Sequence, residues 1–187
     1  MKQVILGSIA AVFLILLLGC QPDTTQSDQL TGSEDSNGFV DLEPSEWVKY
    51  IKPVTEYMYY RTQAVVNNDI NILWNKYPGL KGNMDLKQGI NVEKMEVESL
   101  NQHFDLLDAN YNLESNERIK VKTINDIQGI VLVHGSTTYL RNDFDLSGGE
   151  YLIELHIEQI DNRWKVIKTD EYTLPEYKDW LKEKENH

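Results

Sequence analysis

Apolar residues recur along this chain with two different periods, and the change between them divides the fold. From Pro44 the spacing is helical: Trp47, Ile51, Val54, Met58 and Val65 fall on one face. Pro44 suits a first helical turn, and Pro53 is expected to kink this helix or split it in two. Asn67-Asn68-Asp69 closes the segment, and Ile70, Leu73, Trp74 and Tyr77 form a short second stripe stopped by Pro78-Gly79. Residues 80–90 hold two glycines and no period, so they read as a loop. Val97, Leu100, Phe104, Leu107 and Tyr111 then alternate in steps of three and four, which predicts a third helix over 92–111. Beyond Asn116 the period becomes two. Residues around Ile119 and Val121, then 130–141, 150–160 and 163–172, read as strands. Asp161-Asn162 is a two-residue hairpin turn, Asn125-Asp126 and the 146–149 run mark other turns, and Pro175 opens a short last helix. Helices followed by a four-stranded antiparallel meander predict an α+β domain with the helices on one sheet face.

Strand pairing assigns side chains to faces. The Asp161-Asn162 turn pairs Ile157 with Val166 and Ile153 with Asp170. A hairpin centred near Asp145 pairs Tyr139 with Tyr151 and places His134 opposite His156. Val131, Val133, Tyr139, Tyr151, Ile153, Leu155, Ile157, Trp164 and Val166 then face the helices, with Asp170 at the end of the same row. Leu132, His134, Glu154, His156, Glu158, Lys165 and Ile167 share the other face. A one-residue slip would reverse these assignments.

Composition narrows the function classes. The 187 residues carry 18 basic and 30 acidic side chains, a formal charge of −12. Nucleic acid demands a basic footprint, so it is excluded as a partner. Binding of anionic lipid through the domain face is disfavoured for the same reason. Residues 21–43 contain six acidic side chains and no basic one, and 21–41 are poor in apolar groups. Such a stretch cannot bury enough surface to order itself, and it reads as an extended tether. The single cysteine leaves no intramolecular disulfide, so the domain must be held by its own core.

That cysteine has a defined context. Lys2 precedes an apolar run over 4–18, and Leu17-Leu18-Gly19 leads directly into Cys20. The run is shorter than the about 20 residues of a membrane span. The arrangement resembles a bacterial lipoprotein signal peptide with Leu17-Leu18-Gly19-Cys20 as its lipobox. The resemblance implies cleavage before Cys20, lipidation of Cys20 with a fatty acyl (palmitate-type) anchor, and an extracytoplasmic, membrane-tethered location. The expected organisation is a signal peptide over 1–19, a lipidated cysteine and tether over 20–42, and a folded domain over 43–187.

The domain also resembles the nuclear transport factor 2-like superfamily, the cystatin-like α+β cone. The matching stretches are Ala64-Val65-Val66-Asn67-Asn68-Asp69 with Ile72-Leu73-Trp74, and the last hairpin from Tyr151 through Asp161-Asn162 to Ile167. The resemblance implies a curved sheet wrapped around a helix with an apolar pocket inside. The superfamily includes isomerases, dehydratases and epoxide hydrolases beside non-catalytic binding domains, so fold does not select function.

Candidate chemistry is thin. Asp170 is the acid/base candidate, because a carboxyl facing an apolar pocket has a raised pKa. Against this, the strand is leaving the core there, which would make Asp170 a solvated rim residue. Tyr59, Tyr60, Tyr139 and Tyr151 are the candidate ligand-lining groups, and Arg61 beside the first two can pair with Glu56 or Asp69 or meet an anion. His134, His156 and their flanking glutamates have the composition of an open zinc site, but a polar outer sheet face explains them as simply. No metal or cofactor is expected. No phosphate-binding glycine loop and no Gly-x-Ser-x-Gly elbow occurs, and the folded domain lacks a cysteine nucleophile. The reading that results is a lipid-anchored, non-catalytic binding domain of the cell envelope, with an envelope protein or a small apolar ligand as partner. The alternative is a small lyase, isomerase or hydrolase working through Asp170. Monomer and homodimer both remain open.

Overall fold

The computed structural model describes residues 34–35, 37–85, 88–102, 105–114 and 119–185. Cys20, His103 and Phe104 lie outside them. Strand β1 (Val40–Asp41) leads to α1 (Trp47–Val66), α2 (Asn71–Lys76), a 3₁₀ turn (Pro78–Gly82) and α3 (Val92–Leu100). The sheet follows as β2 (Leu106–Leu113), β3 (Lys120–Asn125), β4 (Gln128–Arg141), β5 (Leu146–Ile160) and β6 (Arg163–Glu171), and α4 (Leu174–Glu185) ends the chain. This is the expected α+β architecture, helices on an antiparallel sheet with a short terminal helix. The sheet has six strands rather than four. Its order is β1-β3-β4-β5-β6, and β2 pairs with the far half of β4, beyond the stretch that β3 occupies.

The inner face carries the main core. Val131, Val133, Tyr139, Tyr151, Ile153, Leu155, Ile157 and Val166 are buried there against Val54, Tyr57, Met58, Ala64 and Val65 of α1, with Trp164 at the edge, as the pattern predicts. The outer face has its own cluster. Ile130, Leu132 and Leu152 pack under Phe39 and under Tyr177, Trp180 and Leu181 of α4. Phe39 and Leu42, expected in the tether, are therefore part of the domain, and Val40 and Asp41 pair with β3.

Three local expectations change. Helix α1 runs unbroken through Pro53, whose missing N–H costs one bond to the Lys49 carbonyl within a heavily buried helix. The third helix stops at Leu100, and Leu107 and Tyr111 belong to a strand. There Asn101 turns its side chain onto the Val97 and Val65 carbonyls, satisfying helix-end acceptors and pinning α3 to α1. From Ala109 onward burial alternates in twos, so one set of apolar residues served two periods. Finally, the β4–β5 hairpin pairs Gly135 with Tyr151 and Tyr139 with Ser147. The offset from the expected register is four residues, an even number, so every face assignment survives.

The β5–β6 hairpin differs more consequentially. Its Asp161-Asn162 turn has φ of 52° and 58°, the left-handed pair that a tight hairpin needs. Pairing starts as expected, with Ile157 opposite Val166. The next pair is His156 with Lys168, so Ile167 is an extra residue and forms a β-bulge. Gly79 of the 3₁₀ turn lies against this bulge, and a Cβ there would stand 2.9 Å from the Ile167 carbonyl oxygen. Beyond the bulge every side chain of β6 changes face.

Candidate functional site

The bulge decides which carboxylate enters the cone. Asp170 pairs with Glu154 on the outer face, and Glu171 pairs with Ile153 on the inner one. The Asp170 assignment is thus corrected: the inward groups are Thr169 and Glu171. They meet a polar network inside the cone that the sequence reading did not assemble.

Arg61 is its centre. It lies on the buried stripe of α1, seven residues after Val54, and is 3% exposed. Its Nε donates to Glu96 Oε2 and its Nη2 to Glu171 Oε2, both at 2.7 Å. The guanidinium also lies 5.2 Å from the centre of the Tyr111 ring. Neither Glu56 nor Asp69 is its partner; Glu56 pairs with Lys76 instead. On the far side of Glu96, Tyr111 and Tyr139 both donate to Oε1. Deeper in, Tyr57 and Thr169 donate to Glu93 Oε1, and Asn83 ties its amide to the Thr169 hydroxyl and carbonyl. Glu93 is 1% exposed and its Oε2 has no hydrogen-bond partner among the described residues.

Two carboxylates therefore share one guanidinium, and Glu93 is linked to it only through the Tyr57 hydroxyl. Burial opposes the charge on Arg61, but Glu171 and then Glu96 more than offset it and hold the group protonated. Burial pushes the Glu171 carboxyl above its ordinary value; Arg61 pulls it back and Glu96 pushes it further up. Burial also drives the hydroxyls of Tyr57, Tyr111, Tyr139 and Tyr151 upward, so they act as donors and not as phenolates.

Of the four candidate tyrosines, Tyr139 and Tyr151 come together in the cone, each beside Tyr111. Tyr59 is 58% exposed, and Tyr60 packs edge-on against Tyr77 with Lys76 over its ring, so both lie away from the network. His134 and His156 do not face each other: His134 pairs with Leu152, and His156 with Ile130. His134 bonds Glu114 through Nδ1 and Tyr177 through Nε2, and Tyr177 in turn donates to Glu150, which fastens α4 to the sheet. Among the described residues no three metal-ligating side chains converge, and no helix is long and apolar enough to cross a membrane.

Arg61 was legible as a residue on a buried stripe, and Glu93, Glu96 and Leu100 share one side of α3 by their spacing. Glu171 carried no such signal, because nothing local announces the bulge.

No protein-family model matches the chain, and no curated protein matches it. Solved structures similar to it in fold include a nuclear transport factor 2-like superfamily protein from Salmonella enterica (8% identity, covering 65% of this chain and 88% of that one, TM-score 0.44). Another is a cystatin-like-fold protein of unknown function from Nostoc punctiforme (11% identity, 71% and 93%, TM-score 0.44). A third is a candidate dehydratase of the NTF2-like family from Streptomyces avermitilis (10% identity, 65% and 94%, TM-score 0.43).

Proposed function

We propose that the protein is a lipid-anchored, extracytoplasmic binding domain of the cell envelope that carries out no catalysis. The observation that carries the non-catalytic part is the double ion pair of Arg61. A general base must reach a proton on its substrate. Glu171 is held by Arg61 at 2.7 Å, and Glu96 is held by Arg61 and by two tyrosines. Glu96 and Glu171 are thus committed to Arg61 and the tyrosines, and Glu93, whose Oε2 has no partner among the described residues, is enclosed at 1% exposure. Asp170, the acid/base of the enzyme alternative, points to the other side of the sheet.

The anchor rests on the Leu17-Leu18-Gly19-Cys20 context. Thirteen residues, 21–33, lie between Cys20 and Glu34, so a lipid on Cys20 keeps the domain within about 50 Å of the bilayer even when that chain is fully extended. Ligand capture close to a membrane is the role this arrangement suits.

The test is radiolabelled palmitate given to bacterial cells expressing the full chain. The wild type is expected to take up label and to sediment with membranes; Cys20→Ser is expected to do neither. An unlabelled wild type in the soluble fraction would refute the anchor.

A further inference from the structure

A chain of four side chains ties α4 to the outer sheet face, with His134 at its middle. The His134 residue is 8% exposed. Its Nδ1 meets the Glu114 carboxylate just past β2, and its Nε2 lies 2.9 Å from the Tyr177 hydroxyl of α4. Tyr177 donates in turn to Glu150 Oε2 of β5. Counting protons fixes the roles. A carboxylate only accepts, and a tyrosine has one proton to give. With that proton on Glu150, the Tyr177 oxygen accepts from Nε2–H, while Nδ1 and Glu114 share a second proton. The docked network therefore holds one proton more than a neutral imidazole between two carboxylates, on whichever side of the Nδ1–Glu114 bond it rests. The rings of Tyr177 and Trp180, centred 5.5 and 5.1 Å from the imidazole, add the attraction of aromatic groups for a cation.

We propose that α4 is a proton-dependent latch, which closes on the sheet with that proton in place and opens more readily once it is withdrawn. A neutral ring carries one N–H. With Nδ1–H kept on Glu114, Nε2 must accept from Tyr177, and Glu150 loses its donor. Docking thus forfeits a hydrogen bond to a charged group, which lowers the docking equilibrium about tenfold. A free imidazole gives up its proton near pH 6.5, with the number set by its chemistry alone, about 6.5. Docking is therefore flat well below that pH and weakens above it, by at most about tenfold per pH unit for a single proton. What α4 covers is apolar: Ile130, Leu132 and Leu152 are buried beneath it and Phe39, so the latch sets access to this face. The other charged groups around the ring are engaged elsewhere. On β3, Lys120 reaches Asp35 at 3.3 Å and Lys122 donates to the Asn37 carbonyl. On β5, Glu154 accepts from Tyr172, and His156 Nε2 lies 3.8 Å from Glu154. On α4, Glu176 accepts from the Thr173 backbone and hydroxyl, and Asp179 pairs with Lys182. The latch stands independently of the anchor and of what the domain binds.

The experiment is amide hydrogen exchange of the full chain in non-ionic detergent from about pH 6 to 9, with each rate divided by its intrinsic value at that pH. Protection in α4 is expected to fall about tenfold across this range. Glu150→Gln, at an exposed position, is the decisive variant. Its amide can donate to Tyr177 while Tyr177 donates to a neutral ring, so α4 should stay protected and its pH response should shrink to within about twofold. His134→Gln should weaken protection at about pH 6 and remove the response. His156→Gln, on the same sheet face, should leave the response intact. A helix held by packing alone would lose protection in His134→Gln but would not change its pH response in Glu150→Gln. Four results would overturn the proposal: wild-type protection in α4 that is independent of pH, α4 exchanging only at the rate of Val131 and Val133 in β4, a response that survives Glu150→Gln, or one removed by His156→Gln. If His134→Gln does not fold, Glu150→Gln decides alone.

Discussion

Replacing Arg61 by methionine tests the cone network most directly. Methionine keeps an unbranched chain of similar reach and fills the same space, so the change removes charge with little loss of packing. It leaves Glu96 and Glu171 without a cation, at side-chain exposures of 11% and 24%, next to the fully enclosed Glu93. Removing one partner of a buried pair costs about 3–5 kcal/mol. Glu171 keeps some water, which places the expected loss near the lower end, about 3–4 kcal/mol. For a domain of about 150 residues that lowers the melting temperature by roughly 10 °C. Urea titrations read by tryptophan fluorescence measure it, because Trp47, Trp74 and Trp164 all pack against the affected core. Arg61→Met combined with Glu96→Gln and Glu171→Gln should regain at least half of the loss, since the stranded charges are gone. The deficit also depends on pH. Burial already raises the Glu171 carboxyl, and Arg61 counteracts that, so the variant raises it further. A carboxyl with a raised folded-state pKa favours the fold fully below the unfolded value, about 4.3, and loses that contribution as pH climbs through the folded value. The deficit should therefore shrink below about pH 5. A loss under about 1 kcal/mol, no recovery in the triple variant, or a deficit equal at pH 4.5 and 7.5 would refute the reasoning.

Four further outcomes follow from particular contacts. In the wild type, Glu171 makes stability fall as pH rises from about 4.3 through its raised folded-state value; Glu171→Gln should flatten that slope and Asp170→Asn should not, and the reverse pattern in urea midpoints would show the bulge register to be wrong. His156 has the opposite sign, because burial first and then Lys168 lower its pKa; its share of stability should grow as pH rises toward about 6.5 and vanish in His156→Gln. Tyr177→Phe cuts the links to His134 and Glu150. It should cost about 1–2 kcal/mol, with faster amide exchange in α4 and unchanged exchange in β4. Gly135→Ala would place a Cβ 2.2 Å from the Asn112 carbonyl oxygen and 2.5 Å from the Tyr151 hydroxyl, and should destabilise by about 2–3 kcal/mol in urea.

Much of this protein was set locally. The inward row from Val131 to Val166 could be read from alternation, because pleated strands send neighbours to opposite faces and that face carried the longer apolar row, the outer face burying only the smaller Ile130, Leu132 and Leu152 set. The Asp161-Asn162 turn was legible because few residue pairs tolerate two left-handed backbone positions. The Cys20 context and the acidic excess were legible because neither depends on what the chain packs against.

Tertiary structure decided the rest, for reasons that local pattern does not contain. The apolar positions from Val97 to Tyr111 satisfy a helical period, yet β4 offers an unpaired edge to residues 106–113, and its hydrogen bonds outweigh local propensity. The bulge at Ile167 exchanges the faces of Asp170 and Glu171 through a single added residue, and it lies against Gly79, far away in sequence. Arg61, Glu96 and Glu171 come from two helices and a strand, and each alone reads as an ordinary charged residue. Their meaning is the mutual proximity that offsets the cost of burial, a property of distance in space that no one of their sequence neighbourhoods records.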